Sequence, residues 1–439
     1  MTPVVPLNYR VNPGGILHGR IPVPGDKSIS HRALMLGALA NGKTHIYGFL
    51  QGEDTQATMT ALRAMGVRID QDKDNVIIYG VGLQGLTAPG GVINLGNSGT
   101  SARLFAGLLS GQKFDSHITG DASLIKRPMR RVVEPLQLMK ADISCSRGGT
   151  LPLIIHGGHR LQGMDYNLPV ASAQLKSCLL LAGLYAIGKT CLHEPVATRD
   201  HTERMLQYFG GKIEKNNNTV CIHKSNGLKA QNINVPADIS SAAFFMVAAT
   251  IAGDSDITLE KVGINPTRSA IIHILQQMGA NITLSNQQEL SGEPVADIRV
   301  KASSLKGIEI PPEYVPSAID EFPAIMIAAA CASGTTVLHG AAELRVKESD
   351  RILAVTEGLR AIGIAAVAHD DGMEVTGSCI KGGMVNSYSD HRIAMSFIMA
   401  GLASEKPIVV HDCANINTSF PGFVETARIA GMDIHQVTP

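Results

Sequence analysis

The chain contains no tryptophan, and aromatic residues make up only 4% of its 439 residues. Its 38 lysines and arginines are balanced by 38 aspartates and glutamates, so no overall charge attracts nucleic acid or an anionic membrane. No apolar stretch reaches the roughly 20 residues that a membrane-spanning helix needs. These absences predict a protein without a nucleic acid or membrane partner, in which any anion-binding site is built from local groups.

The seven cysteines form no C-x-x-C pair, and the 15 histidines lack the spacing of a metal site. An odd number of cysteines in mostly apolar surroundings is typical of buried free thiols in a reducing compartment. The first 15 residues lack the charged region and apolar run of a secretion signal. We therefore expect a cytoplasmic protein with free cysteines, no metal and no other cofactor.

An apolar, alanine-rich stretch of helical length occurs six times, and each one opens with small polar or charged residues. Each is followed by a β-branched run and then by an amphipathic helix that ends near a glycine. The six stretches are apolar on every face, so we expect their helices to lie inside a core, ringed by sheets. The openings recur at a spacing of roughly 70 residues, at positions 26–28, 97–100, 172–174, 238–241, 320–321 and 390–392.

Grouping the six units three and three predicts an α/β protein of two lobes. The first lobe is expected to span residues 20–232, and the second to combine residues 1–19 with 233–439. Helix N-termini carry unpaired N–H groups and a partial positive charge. We expect them to face a cleft between the lobes, where they would bind anions.

Three segments of the first lobe could bind an anion. Lys27 and Ser28 stand at the start of one apolar stretch, with Arg32 one helical turn further on. A capping serine with a flanking lysine and a snorkelling arginine explains this pattern equally well. The glycine-rich segment 96–103 could cradle an anion or merely cap a helix. Arg127, which precedes a proline, could clamp a carboxylate or phosphate or could simply be solvated.

In the second lobe the segment 344–351 carries the most charge. On a helix Lys347 and Arg351 would be neighbours beside Glu348, and an exposed charged face is the alternative interpretation. Asp320 and Glu321 open an apolar stretch, where carboxylates without partners are unfavourable, and Asp390 opens another. Carboxylates and a lysine that converge on one site would supply general acid and base groups.

Taken in order, these motifs resemble those of the enolpyruvyl transferase family, and the resemblance covers essentially the whole chain. It implies a two-lobed inside-out α/β barrel of six βαβαββ repeats, three in each domain. It further implies transfer of the enolpyruvyl group of phosphoenolpyruvate to the 5-hydroxyl of shikimate 3-phosphate, a step of aromatic amino acid biosynthesis. Phosphate leaves from a tetrahedral intermediate. The motifs lie at 24–32, 95–100, 120–129, 172–174, 345–351 and 390–392.

The resemblance also implies which residues bind each substrate, without a cofactor and in a monomer. Asp320 would be the base toward the hydroxyl, while Lys27 and Glu348 exchange protons at the methylene carbon and the bridging oxygen, in an order that stays open. Thr100 would assist Gly99. The positions implied for shikimate 3-phosphate are Ser28, Arg32, Ser172, Arg199, Asp320 and Lys347. Those implied for phosphoenolpyruvate are Lys27, Gly99, Arg127, Gln174, Glu348, Arg351 and Arg392.

Segment 417–421 lacks the lysine that the better-known branch of the family carries before Thr-Phe-Pro, and with 172–174 and 198–201 it resembles a second, divergent branch. That branch is associated with tolerance to glyphosate, but some tolerant members carry alanine at the position of Gly99. Sensitivity to the inhibitor therefore stays open.

Two alternatives remain. A sister enzyme that acts on a UDP-linked amino sugar shares the fold. It has Lys-Asn where this chain has Lys27 and Ser28, and a loop cysteine near 122–126, whereas this chain has no cysteine in 1–144. A non-catalytic anion-binding module would need neither Asp320 nor Glu348 beside the cations.

Overall fold

The computed structural model describes residues 7–437, and all six apolar stretches form helices in it, as predicted. Together with short 3₁₀ turns, thirteen α-helices occur in this part of the chain. In chain order they are α1 Lys27–Leu39, α2 Glu53–Ala64, α3 Gly99–Ser110, α4 Arg130–Leu138, α5 Ala173–Gly183, α6 His201–Tyr208, α7 Ile239–Ile251, α8 Ala270–Gln277, α9 Val315–Ala318, α10 Phe322–Ala330, α11 Arg351–Ala361, α12 His391–Ala400 and α13 Phe423–Ala430.

The strands follow the helices in the predicted alternation, and short glycine-containing turns connect many of them. In chain order they are β1 Asn8–Val11, β2 His18–Ile21, β3 Ala40–Tyr47, β4 Arg68–Asp72, β5 Asn75–Val81, β6 Ile93–Asn94, β7 Ser116–Thr119, β8 Asp142–Cys145, β9 Leu153–His156, β10 Asp165–Asn167, β11 Lys189–His193, β12 Ile213–Asn216, β13 Thr219–His223, β14 Leu228–Lys229, β15 Asn232–Asn234, β16 Asp256–Gly263, β17 Asn281–Leu290, β18 Glu293–Lys301, β19 Thr335–Leu338, β20 Ala365–His369, β21 Gly372–Thr376, β22 Gly383–Asn386, β23 Ile408–His411 and β24 Ile434–Val437.

The described chain divides into two compact units, each with its own hydrophobic core. The N-terminal unit consists of residues 25–235 and 289–293. The C-terminal unit consists of the described residues up to Pro24 together with 236–288 and 294–437. Residues 20–24, expected in the first lobe, belong to the C-terminal unit because β2 pairs with β16. Residues 1–6 and 438–439, expected in the second lobe, lie outside the described residues.

Each unit contains three small sheets and three buried helices, which we call the inner helices: α1, α3 and α5 in the N-terminal unit, and α7, α10 and α12 in the C-terminal unit. Around α3, α5 and α12, parallel strands flank the inner helix, and a further strand then pairs antiparallel. Three βαβ units, each extended by one antiparallel strand, give this pattern. Among residues 7–437 the six sheets stay separate, so the expected barrel is not a closed one.

Alanine and glycine let the inner helices pack closely. A Cβ atom on Gly107 of α3 would lie only 2.0 Å from the carbonyl oxygen of Cys178 in α5. Such an approach excludes any side chain at this position, because real Cβ atoms do not come so near a carbonyl. The inner helices therefore hold their N-termini in fixed positions within each unit.

The prediction that all the cysteines are free is wrong for two of them. Cys191 on β11 and Cys221 on β13 face each other across antiparallel strands, and the structure joins them in a disulfide. Their Cα atoms are 4.1 Å apart, because the two residues lie directly opposite each other on the paired strands. The other five cysteines are free. No helix among the described residues is long and apolar enough to cross a membrane.

Candidate functional site

In the N-terminal unit, α1 begins with two residues singled out from the sequence. The Asp26 carboxylate caps the helix by accepting a hydrogen bond of 2.8 Å from the backbone N–H of Ile29. The Lys27 ammonium pairs with Asp54 of α2, with 2.9 Å between Nζ and Oδ2. Asp54 had not been identified from the sequence, since it lies on a different helix and no local pattern links it to Lys27.

Arg32 lies one turn further along α1 and is buried. Its Nη1 donates to the backbone oxygen of Ser28 at 2.8 Å, its Nε to Thr202 at 2.6 Å and its Nη2 to Ser177 at 2.8 Å. Burial and the nearby positive charge of Arg199 lower the pKa of Arg32 to about 10, against the opposing effect of nearby carboxylates. The interpretation of Arg32 as a snorkelling surface residue is therefore wrong.

Gly99, the first residue of α3, lies between two guanidinium groups. A Cβ atom at this position would be 3.1 Å from Nη1 of Arg127 and 3.2 Å from Nη1 of Arg103. Arg127 donates to Asn97, and Arg103 donates to Gln174 of α5. The missing side chain of Gly99 thus leaves space beside two guanidinium groups, which is an arrangement suited to an anion.

The N-termini of α3 and α5 meet through side chains. Gln174 donates from Nε2 to the hydroxyl of Thr100 at 3.1 Å. Ser98 caps α3 by accepting from the backbone N–H of Ser101, and Ser172 caps α5 in the same way. Both caps are neutral, so neither cancels the partial positive charge of its helix.

In the C-terminal unit, Arg351 is the centre of a network of carboxylates. Its side chain is only 2% exposed. It donates to Asp390 at 2.8 Å, to Glu348 at 2.7 Å and to Asp320 at 3.3 Å. Burial on its own would lower the pKa of Arg351, but the charges of Asp390, Glu348 and Asp320 raise it above its ordinary value. Arg351 is therefore a permanently charged group that holds three acids together.

Burial would raise the pKa of Asp390, but the charge of Arg351 outweighs that effect and lowers it. Asp390 also caps α12, accepting from the backbone N–H of Arg392 at 2.9 Å and from the hydroxyl of Ser349 at 3.0 Å. Asp320 pairs with a second cation besides Arg351, since Nζ of Lys347 lies 3.2 Å from its Oδ1. These contacts unite the acidic and basic motifs predicted from the sequence.

The alternative interpretation of 344–351, an exposed charged face on one helix, is not what the structure shows. A 3₁₀ turn covers Ala342–Val346, and α11 begins only at Arg351. The helix starts there because Asp350 caps it, its carboxylate accepting from the backbone N–H of Leu353. Lys347 and Glu348 therefore lie on a turn ahead of α11 rather than on an exposed helical face.

Arg392 completes the candidate site of the C-terminal unit. Its Nη1 donates to the backbone oxygen of Asp320 at 2.9 Å and lies 3.7 Å from a carboxylate oxygen of Glu321. Glu321 precedes α10, is buried and accepts from Ser240 of α7.

Arg268 donates to Asp238, the cap of α7. Arg268 and Arg103 had not been identified from the sequence; for Arg103 the spacing of four residues from Gly99 was an available signal.

The same fold occurs in a solved structure of the enolpyruvyl transferase NikO from Streptomyces tendae. The TM-score is 0.80 over 99% of this chain and 100% of that chain, at 16% sequence identity. The fold is therefore that of an enolpyruvyl transferase. A structure of EPSP synthase from Acinetobacter baumannii is more similar, with a TM-score of 0.89 and 52% identity over 98% of this chain and all of that chain.

The family model of EPSP synthase (3-phosphoshikimate 1-carboxyvinyltransferase) matches residues 11–427. Relatives named 3-phosphoshikimate 1-carboxyvinyltransferase are 58% identical in Alkalilimnicola ehrlichii and 59% identical in Methylococcus capsulatus. These alignments cover 97% of this chain and 96% and 98% of the relatives. The chain belongs to the EPSP synthase family. It is a carboxyvinyltransferase of the shikimate pathway, which confirms the predicted family, enzyme class and reaction.

Proposed function

We propose that the enzyme works by addition and elimination, with Asp320, Lys27 and Glu348 as its acid and base groups. The 5-hydroxyl oxygen of shikimate 3-phosphate forms a bond to the enol carbon of phosphoenolpyruvate. The hydroxyl proton goes to Asp320, and the methylene carbon gains a proton, which gives a tetrahedral ketal. Elimination then removes a proton from the methyl carbon and breaks the bond to the bridging oxygen, so that phosphate leaves.

The N-terminal unit would supply most of the positive groups that bind the two anionic substrates. In this proposal Ser28, Arg32, Ser172 and Arg199 bind shikimate 3-phosphate. The proposal is supported by the neutral caps of α3 and α5 and by the buried, charged Arg32, because all of them favour a negatively charged ligand. Lys27, Gly99, Arg127 and Gln174, assisted by Thr100, bind phosphoenolpyruvate.

The C-terminal unit would supply the base. The position of Asp320 carries this proposal: its carboxylate is 12% exposed and lies between Lys347 and Arg351, while Arg392 holds its backbone oxygen. A carboxylate fixed by two cations is charged and oriented, yet still accessible, as a general base needs to be. In this proposal Lys347 also binds shikimate 3-phosphate, and Glu348, Arg351 and Arg392 act at phosphoenolpyruvate.

Lys27 and Glu348 would exchange the remaining protons. Each is held by a partner of opposite charge, Lys27 by Asp54 and Glu348 by Arg351. Such partners fix the orientation of an acid or base group before the substrate arrives. We further propose that the enzyme is a cytoplasmic monomer. Five of its seven cysteines are free, as in a reducing compartment, and the Cys191–Cys221 disulfide is the exception.

Replacing the proposed base tests the mechanism. In Asp320→Asn the side chain keeps its shape but cannot take up the hydroxyl proton. We expect phosphate release from the mixed substrates to fall by about 100-fold or more, while calorimetric binding of shikimate 3-phosphate stays measurable. Asp370→Asn, which alters an exposed acid of the same unit, is the control and should retain the parent rate. Phosphate release by Asp320→Asn at the parent rate would refute the assignment.

A further inference from the structure

A lysine is buried inside α5, a helix whose other residues are mostly apolar. Lys176 lies one turn beyond Ser172, and its side chain is only 1% exposed. Its Nζ lies 2.8 Å from Glu194, 2.7 Å from Glu203 and 3.2 Å from the backbone oxygen of Thr198. None of these residues has a role in the reaction proposed above.

The buried lysine keeps its charge. Burial on its own lowers the pKa of Lys176, but the carboxylates of Glu203 and Glu194 raise it above its ordinary value. Burying three charges is unfavourable unless their geometry is well defined. A solvated surface cluster would need no such arrangement, so this buried cluster is expected to hold a defined part of the chain in place.

The segment held by the cluster leads directly to Arg199. The backbone N–H of Thr198 donates to Glu194 at 3.1 Å, and its hydroxyl donates to the same carboxylate. The backbone oxygen of Thr198 accepts from Lys176. On the other side of Arg199, the Asp200 carboxylate accepts from Arg204 and Lys215 at 2.9 Å each. Arg199 therefore lies between two anchored residues in a segment outside any helix or strand.

Helices α5 and α6, which carry Lys176 and Glu203, also position Arg32. Ser177 follows Lys176 on α5, and Thr202 precedes Glu203 on α6; these are the two hydroxyls that accept from Arg32. Moreover, Glu203 acts on Arg32 through its charge, as Arg199 does. A change at Lys176 would therefore reach both arginines proposed to bind shikimate 3-phosphate, and most directly Arg199.

We infer that Lys176 is a positioning residue, which fixes Arg199 for binding of shikimate 3-phosphate by clamping Thr198 between itself and Glu194. Lys176 acts through this segment and does not contact the substrate. The inference rests on the proposed role of Arg199. It predicts that loss of Lys176 impairs the binding of one substrate and leaves the chemistry and the other substrate largely unaffected.

Steady-state kinetics of Lys176→Met tests the inference. We expect the KM for shikimate 3-phosphate to rise by about 10- to 100-fold, because Arg199 would no longer be held in its binding position. The kcat and the KM for phosphoenolpyruvate should stay within about threefold of the parent values. Lys176→Arg, which keeps the charge, should recover part of the loss. Lys189→Met removes an exposed ion pair with Glu214 in the same unit and should behave like the parent enzyme.

A second variant covers the case in which Lys176→Met does not fold. Thr198→Val keeps all three buried charges but removes the hydroxyl that donates to Glu194. Its KM for shikimate 3-phosphate should rise in the same selective way, by a smaller factor. Equal increases in both KM values, or unchanged values in a folded Lys176→Met or Thr198→Val protein, would overturn the inference.

A double-mutant cycle separates this inference from the proposed function. If Lys176 acts through Arg199, then adding Lys176→Met to Arg199→Ala should change the KM for shikimate 3-phosphate much less than Lys176→Met does in the parent enzyme. Independent, multiplicative effects would contradict the inference. If Arg199→Ala by itself leaves this KM unchanged, the proposed role of Arg199 is wrong, and the inference falls with it. If Arg199→Ala raises the KM and Lys176→Met does not, only the inference is wrong.

Discussion

The two units use the same inner-helix architecture but cap the helices differently. In the C-terminal unit all three inner helices begin at an acid with an arginine near it. Asp238 and Asp390 cap their helices by hydrogen bonds, whereas Glu321 precedes α10 without one. In the N-terminal unit two of the three caps are serines. An acidic cap cancels the partial positive charge at a helix N-terminus, whereas a serine leaves it available to a ligand.

The inner helices of the two units therefore begin with different residues although their architecture is the same. The N-terminal unit presents backbone N–H groups and arginines suited to anions. The C-terminal unit binds its arginines to its own carboxylates and so retains charged acids near Asp320. Three predictions test this comparison.

The largest effect is expected at the centre of the carboxylate network. Arg351→Met leaves Asp390, Glu348 and Asp320 without their shared cation. Removal of one partner from a buried ion pair lowers the free energy of unfolding by about 3–5 kcal/mol. Urea unfolding of the purified protein measures this change. Arg299→Met, which breaks an exposed pair with Asp256, should leave the unfolding curve almost unchanged. Equal effects of the two substitutions would contradict the role of the network.

An intermediate effect is expected when the N-terminal unit is given an acidic cap. Ser172→Asp still caps α5, because aspartate is as good a cap as serine, but it adds a negative charge where the proposal places shikimate 3-phosphate. We expect the KM for that substrate to rise by about 10- to 100-fold, with little change in thermal stability.

Ser172→Asn is the matched comparison, since asparagine caps a helix equally well without a charge. It also loses the serine proposed to bind shikimate 3-phosphate, so its KM should rise, but by a smaller factor than that of Ser172→Asp. Steady-state kinetics of the two variants isolates the charge from the cap. If the KM rises as much in Ser172→Asn as in Ser172→Asp, the added negative charge does not weaken binding. The proposed advantage of a neutral cap would then be wrong.

The smallest effect concerns acid. His31 of α1 is buried beside Thr58, and burial, aided by Lys27 and Arg32, lowers its pKa well below 6.5. As the pH falls below 6.5, the unfolded chain takes up a proton that the folded protein does not. The folded state should thus lose up to about 1.4 kcal/mol per pH unit from this group.

The Asp390 carboxylate of the C-terminal unit responds only at lower pH. The lowered pKa of Asp390, where Arg351 outweighs the effect of burial, means that its contribution to stability is lost only as the pH falls below the usual aspartate range. Thermal unfolding at pH 7.5 and pH 5.5 should therefore show a smaller drop for His31→Gln than for the parent. His435→Gln, at an exposed site, should show the parent's drop. If His31→Gln shows that drop too, the assignment to His31 is wrong.

Much of the fold could be predicted, because apolar stretches such as α7 and α10 have no polar face and fit only a core. The motif residues around Arg351 could also be identified, since carboxylates that open apolar helices need partners. Pairs that depend on how separate elements pack, such as Lys27 with Asp54, could not. Nor could the disulfide, which depends on the register of β11 and β13.

Competition between a continuous helix and a capped helix start explains why the helical interpretation of 344–351 does not hold. The charged segment 344–351 fits a helix by spacing, but Asp350 starts α11 by capping it, which leaves Lys347 on a turn. For Lys176 the local sequence is informative, but its partners are not predictable. Its position within an apolar stretch signals a buried charge, while its partners, Glu194 and Glu203, follow only from the packing of α5 against α6.

The N-terminal unit is assembled from two pieces of chain, and this has a consequence for protein engineering. Buried His201 takes its partner, Glu293 at 2.7 Å, from the short second piece, 289–293, and Arg204 donates to the oxygen of Gly292 in the same piece. A gene fragment for residues 25–235 alone would therefore encode a domain that lacks part of its own interior. Grafting or circular permutation of this domain requires those five residues to be supplied as well.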